Sequence, residues 1–211
     1  MLNCRIGNRT DLAAFMAYFC CLCRNVMDGF SSFSADERIE VSNPVVLDTS
    51  HIGHEVVIVK NGTRICGGGG ALGSAPLVQN KSYFEVKVQQ SGIWSVGVAT
   101  EQAQLSSAPG GVDKESWVLC SDGVVKHNGQ DIHKLADVPQ EGDAIGVTYD
   151  HIELNFFCNG KNLNIPISGI RGTVYPVLYV DEGAILDFVS EHFSFPPPSG
   201  FERILLEQSL L

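Results

Sequence analysis

Hydrophobic and polar residues alternate with a period of two through most of this chain. In 82–89, Phe84, Val86 and Val88 point one way and Tyr83, Glu85, Lys87 and Gln89 the other. In 93–100, Trp94, Val96 and Val98 oppose Ser95, Gly97 and Ala99. Such alternation marks antiparallel strands with one buried and one solvated face. The small-residue face of 93–100 leaves room for a loop or a second sheet to come close. The clearest unit is 142–161, where Ile145, Val147 and Tyr149 alternate with Ala144, Gly146 and Thr148. After a turn at Asp150-His151, Ile152, Leu154, Phe156 and Cys158 alternate with Glu153 and Asn155. Asn159-Gly160 then supplies two residues that tolerate positive φ, as a type I′ hairpin requires.

Further strands are expected at 45–47, 56–59, 63–66, 117–120, 124–127, 174–180 and 184–189, with turns at Lys60-Asn-Gly62, Asp122-Gly123 and Asp181-Glu-Gly183. Cys66-Gly-Gly-Gly-Gly70 reads as a turn or bulge, since it lacks the Gly-Lys-Ser/Thr ending of a phosphate loop. Residues 101–114 form a long polar loop, the kind that carries function on a rigid scaffold. After Pro196-Pro-Pro198, 201–211 is apolar enough to pack back on the body. About ten short strands without helical patterning between them predict an all-β fold, an antiparallel two-sheet sandwich over 44–211.

Residues 1–43 have a different character. The run 12–22 is uncharged and mostly apolar, with Leu12, Phe15, Met16 and Phe19 at helical spacing and Thr10 or Asp11 as a cap. It is too short to cross a bilayer, which takes roughly 20 residues. It ends in Cys20-Cys21-Leu22-Cys23. Three readings stay open for this leader. It is a plain extension with incidental cysteines, a secretory signal core, or an S-acylation site at Cys20, Cys21 and Cys23 that gives peripheral membrane contact. Residues 31–42 read as a linker.

Composition narrows the class. With 44% hydrophobic and 18% charged residues, 211 residues suffice for one globular domain and a short extension. Lys and Arg number 14 against 24 Asp and Glu, a net charge of −10, which repels phosphate backbones and argues against nucleic-acid binding. Seven cysteines, an odd number without disulfide-framework spacing, favour a reducing compartment, with Cys66, Cys120 and Cys158 as free thiols in strands. A cytoplasmic location is expected, membrane-associated if the leader is acylated.

No motif announces catalysis. A Gly-x-Ser-x-Gly elbow is missing. His51 and His54, near Asp48 and Glu55, are spaced in an extended segment so that they do not converge on a metal. His127, Asp131 and His133 read as solvated groups on or beside a loop. Asp181-Glu182 reads as an acidic rim that selects polar or basic partners rather than a glycosidase pair. No cofactor, no metal site and no enzymatic activity are expected.

Five blocks carry a family resemblance: Tyr83-Phe-Glu-Val-Lys-Val88, Gly92-Ile-Trp-Ser-Val-Gly-Val-Ala-Thr100, Gly142-Asp-Ala-Ile-Gly-Val-Thr-Tyr-Asp150, Leu154-Asn-Phe-Phe-Cys-Asn-Gly160 and Val174-Tyr-Pro-Val177. In this order and spacing they resemble the SPRY domain, of B30.2-like, concanavalin-like jelly-roll architecture, across residues 48–201. The resemblance implies a bent β-sandwich that recognises a protein or peptide ligand without catalysis, an adaptor. It implies a pocket rimmed by the loop 101–114 and the turn 181–183, with Gln102, Gln104, Leu105, Asp181, Glu182 and Gly183 as candidate partner-binding residues. Neither rim carries the aromatic side chains usual in such pockets, so a different ligand is expected. Carbohydrate binding by a lectin-like sandwich is the alternative, and the same missing aromatics weigh against it.

Overall fold

The computed structural model describes residues 44–206, which contain fifteen strands. First come β1 (Leu47–Ile52), β2 (Glu55–Val59), β3 (Arg64–Gly73), β4 (Ser82–Gln90) and β5 (Ile93–Ala99). After a long loop follow β6 (Ser116–Cys120), β7 (Val124–His127), β8 (Gln130–Lys134), β9 (Ala144–Tyr149) and β10 (Glu153–Cys158). The chain continues through β11 (Lys161–Asn162), β12 (Ile167–Ser168), β13 (Tyr175–Asp181), β14 (Ile185–Val189) and β15 (Glu202–Arg203).

One layer has the hydrogen-bonded order β11-β10-β9-β4-β14-β3 and the other β3-β13-β5-β6-β7-β8. Pairing is antiparallel except that β15 runs parallel to β4. Between the layers lies one apolar core. Phe84, Val86 and Val88 of β4, Trp94, Val96 and Val98 of β5, and Ile145 and Val147 of β9 all enter it, as their alternation requires. The Asn159-Gly160 turn is a two-residue hairpin with φ of 50° and 75°, closed by pairing of Cys158 with Lys161.

The strand β3 is common to both layers. Its first half pairs with β2 and β14, and its second half with β13 and β1. Of the two readings of Cys66-Gly-Gly-Gly-Gly70, turn or bulge, the turn is ruled out, for these residues lie in the middle of this strand. Gly67 and Gly69 take φ of +97° and +119°, a region that costs L-residues roughly 1–2 kcal/mol. A Cβ at Gly67 would stand 2.1 Å from the carbonyl oxygen of Glu55, and one at Gly70 2.5 Å from the Tyr179 ring. Only glycine lets the chain bend from one layer into the other at this spot.

Other expectations shift as well. The first strand begins at Leu47 rather than Val45, because Val46 exchanges hydrogen bonds with Ser74 through that residue's hydroxyl and backbone N–H. All five residues of β8 are exposed, so no alternation betrays it, and Asp131 and His133 stand on this edge strand rather than in a loop. His127 is half-buried on β7, stacked on Trp117 at 4.5 Å with Nδ1 3.0 Å from the Ser116 carbonyl.

Much of the outer faces of β4 and β9, expected to be wet, is covered, although Lys87 stays exposed. Glu85 is 1% exposed. It accepts the Tyr83 hydroxyl at 2.8 Å and the N–H groups of Ser194 and Phe195 at 2.7 and 3.0 Å. Phe193 meets the Tyr83 ring edge-on at 4.8 Å. The segment after β14 therefore packs back on the body, down to a buried Ile204, while Leu205 and Leu206 remain exposed. The leader, with Cys20, Cys21 and Cys23, and residues 207–211 lie outside the described residues.

Glu85→Leu would leave the buried Tyr83 phenol and the backbone N–H groups of Ser194 and Phe195 without their acceptor. A loss of about 3 kcal/mol or more is expected in denaturant melts, with faster amide exchange over 193–195. Glu85→Gln keeps an acceptor and should lose less; equal melts for all three proteins would refute this role.

Candidate functional site

The loop 100–115 leaves β5 and lies over the outer face of β13, β5 and β6. There Leu72, Ala99, Val118, Cys120, Val177 and Tyr179 make a second, smaller apolar cluster, and Leu105 and Ala108 pack against it. The small residues Ser95 and Ala99 give the loop its room. Backbone groups fix its course: Gly70 N–H donates to the Leu105 carbonyl at 2.7 Å, and Gly110 N–H to Ser95 Oγ at 2.8 Å. Asp113 gathers the return limb, accepting the N–H groups of Gln104 at 2.7 Å and Glu115 at 2.9 Å and the Ser116 hydroxyl at 3.1 Å.

The Leu105 carbonyl sits on a floor without side chains. A Cβ at Gly53 would stand 2.1 Å from its oxygen, and one at Gly69 2.6 Å. Next along the strand, the place a Gly68 Cβ would take has Glu55 Oε2 at 3.3 Å and Asp181 Oδ1 at 3.8 Å. Two carboxylates and one leucine therefore border a strip of backbone at 68–70, half-buried at Gly68 and buried under Leu105 and Tyr179 at Gly69 and Gly70. The turn beyond β13 adds Glu182, exposed, with φ of +48° and its N–H donated to Asp181 Oδ1 at 2.7 Å. Gly183 follows, also exposed, its carbonyl accepting Gln90 Nε2 at 2.9 Å.

The six candidate residues fall into two places. Leu105 and Asp181 border the strip, with Glu182 and Gly183 on the adjoining turn and Gln104 exposed one step before Leu105. Gln102 stands apart, in a polar cavity of 430 Å³ with Glu101, Glu115, Arg171 and Tyr175. Ile93 pairs with Asp181 and Ala99 with Tyr175, so that cavity and the 181–183 turn lie at opposite ends of a six-residue register, about 20 Å apart. Glu55 and Gly68 were not legible as site residues, although the run of four glycines was the available signal: backbone stripped of side chains invites close approach.

Comparison with known proteins accounts for this architecture. The SPRY domain family model matches residues 81–192, more than half of the chain. The chain belongs to the SPRY domain family. SPRY domain-containing protein 7 of Bos taurus is 53% identical over 194 residues, 91% of this chain and 97% of that protein. Its Homo sapiens counterpart is 57% identical over 168 residues, 79% and 86% of the two chains. Among solved structures, the SPRY domain of human HERC1 aligns with a TM-score of 0.56 at 15% identity, over 70% of this chain and 99% of that one. The TRIM65 PSpry domain gives 0.55 at 16% identity, over 71% and 90%. These two show the fold. SPRY domains generally serve as non-catalytic modules for protein interaction.

The polar cavity of this SPRY domain is a network of its own. Tyr175 donates its hydroxyl to Glu101 Oε1 at 2.7 Å, and that bond together with burial pushes the phenol up to about 12. Thr100 donates to Glu115 Oε2 at 2.7 Å. On β1, His51 Nδ1 stands 2.6 Å from Asp48 Oδ2, while His54 Nδ1 stands 3.1 Å from Ser106 Oγ and ties the loop to the β1–β2 turn. The two histidines thus take separate partners. Among the described residues no three His, Cys, Asp or Glu side chains gather as metal ligands do. Burial pushes the thiols of Cys120 and Cys158 up to about 12 and about 11, which keeps them protonated and unreactive.

The Asp48–His51 pair gives the SPRY domain a pH signature. Hydrogen bonding to Asp48 raises His51 above its ordinary 6.5. Burial pushes Asp48 upward, but hydrogen bonds from His51 and Ser50 hold it below 3.8. The histidine's contribution is complete below its unfolded value and fades as pH rises through the raised one. The aspartate's is complete above its unfolded value and fades as pH falls through the depressed one. The pair therefore stabilises most between about pH 4 and 6, and weakly, since His51 is half-exposed. An NMR titration should show the His51 midpoint fall in Asp48→Asn; an unmoved midpoint would refute the coupling.

Proposed function

We propose that this SPRY domain docks a partner segment carrying a basic side chain next to an apolar one, at the strip between Leu105 and the Asp181-Glu182-Gly183 turn. The observation that carries this is the convergence of Glu55 and Asp181 over Gly68, a residue with no side chain to fill the space. At Gly68, the half-buried residue of the strip, a lysine or arginine stem can lie against bare backbone while its charged head meets the carboxylates. Leu105, half-buried against Tyr179, supplies an apolar step for the neighbouring residue. Charge rather than aromatic stacking then selects the ligand, and the net charge of −10 speeds encounter with a basic partner. Gln102, in the other cavity, takes no part.

Affinity capture with the tagged full chain tests this. Glu55→Lys with Asp181→Lys should remove the proteins that wild type retains, as should scrambling 101–114, whereas Gln102→Ala should keep them. A captured set unchanged by the first two variants sinks the assignment.

The proposal extends to location. A cytoplasmic SPRY protein with S-acylated Cys20, Cys21 and Cys23 would be held at a membrane surface while its binding strip faces solvent. The free thiols Cys66, Cys120 and Cys158 suit a reducing compartment. Acyl-exchange labelling should lose its signal when the three leader cysteines become serine; a retained signal ends this part of the reading.

A further inference from the structure

An open sheet ends in strands whose outer backbone groups have no partner strand, and proteins blunt such edges with charges, bulges or shortness. Other edges of this domain are blunted in these ways. The edge strand β8 carries Asp131, His133 and Lys134, and its pairing with β7 shifts register between Val125 and Lys126. The pairing of β1 with β3 shifts between Leu47 and Ile52. The strands β11 and β12 have two residues each. The exception is β2. Among the described residues it pairs with β3 alone, in unbroken register from Glu55 opposite Gly68 to Val59 opposite Arg64. It contains no lysine, arginine or proline.

Side chains alternate across β2. Val56 is buried and Ile58 half-buried against the core. Glu55, Val57 and Val59 turn outward, and the two valines are 51 and 43% exposed. Apolar side chains in a row on an open edge are what natural edges avoid. Charge completes the pattern. At the far end, Lys60 and Arg64 share the Asp187 carboxylate. Glu55 forms no ion pair among the described residues, and it stands with Asp181 at the place of Gly68. The outward side of β2 therefore reads acid, apolar, apolar, with about 7 Å between successive side chains.

We infer that the partner segment adds as an extended strand to the free edge of β2, its basic residue at Glu55 and apolar residues two and four positions further along at Val57 and Val59. The inference rests on the proposed docking of a basic side chain at Gly68. It adds to that docking the ligand's backbone conformation and two more of its residues. Main-chain hydrogen bonds to the edge supply affinity, and the alternate side chains supply specificity. A second copy of this chain fits less well, because its β2 brings no cation to Glu55 and each chain carries a charge of −10.

The probe is a synthetic peptide, acetyl-Lys-Thr-Val-Thr-Val-amide, titrated into the isotope-labelled full chain and followed by NMR. The amides of 55–59 should shift, and cross-strand contacts should link the peptide to β2. Methylating the threonine amides or the valine amides removes donors from opposite sides of the peptide. One methylated peptide should lose binding and the other should keep it. Val57→Thr with Val59→Thr preserves the β-branched shape and should weaken binding several-fold without moving the melting transition. Exchanging the peptide's lysine for glutamate should weaken it as well. Absent shifts at 55–59, or equal binding of the two methylated peptides, overturn the inference. Should the valine variant bind like wild type while Glu55→Lys with Asp181→Lys does not, strand addition falls and the acidic docking stands. Loss in the valine variant with binding kept in Glu55→Lys and Asp181→Lys supports strand addition and removes the acidic docking. A wild-type mass of two chains that halves in Val57→Lys with Val59→Lys also overturns the inference, since a second copy would then hold the edge.

Discussion

A single chain segment must cross from one sheet to the other without leaving either, and β3 does so through Cys66-Gly-Gly-Gly-Gly70. The constraint is steric. Backbone from Glu55 and Leu105 and the ring of Tyr179 occupy the volume that side chains at Gly67, Gly69 and Gly70 would need. Once the strand is stripped in this way, its neighbours close in, and the rest follows. The Leu105 carbonyl can receive Gly70 N–H, so the loop 100–115 lies flat against β13 and β5 rather than standing away from them. The carboxylates of Glu55 and Asp181, on elements far apart in sequence, meet above the same glycine. Bend, loop seat and acidic border have one cause.

The fold was largely legible in the sequence because its strands obey the period of two on their inner faces. Phe84, Val86, Val88, Trp94, Val96 and Val98 could be assigned to the core by alternation alone. Outer faces were less legible. Tyr83 and Glu85 look like solvent residues, and only the chain returning some 110 positions later, with the N–H groups of Ser194 and Phe195, makes them interior. Strand β8 was invisible because five exposed residues carry no periodic signal. The candidate site was half legible. Leu105 and Asp181 followed from the family resemblance, but Glu55 became part of the site only through the β2–β3 pairing, which sets it opposite Gly68. Gln102 was drawn in by its position in the loop, yet the strand register carries it to the other end of β13.

Two polar side chains, the buried Glu85 and the half-buried Gln79, show how a sandwich with short strands holds its irregular tail. Glu85 fixes the segment after β14 with charge-assisted hydrogen bonds, and Gln79 fixes the next few residues with neutral ones. Between them runs β15, two residues parallel to β4. So short a pairing has little strength of its own, and the two side chains supply the register that it lacks. Through these bonds residues 191–205 are anchored to the body, with Ile204 buried.

The glycine strip also sets how this domain can change over generations. At Gly67, Gly69 and Gly70 an added side chain meets backbone or the Tyr179 ring, whereas at Gly68 it meets only the side chains of Glu55 and Asp181. Three walls stand around these glycines: the β1–β2 turn, the loop 100–115 and the turn after β13. Two of these walls are tied together, since His54 of the β1–β2 turn meets Ser106 of the loop at 3.1 Å and Gly53 lies against the Leu105 carbonyl. A change at Gly67, Gly69 or Gly70 therefore disturbs the crossing strand and the elements that rest on it at once.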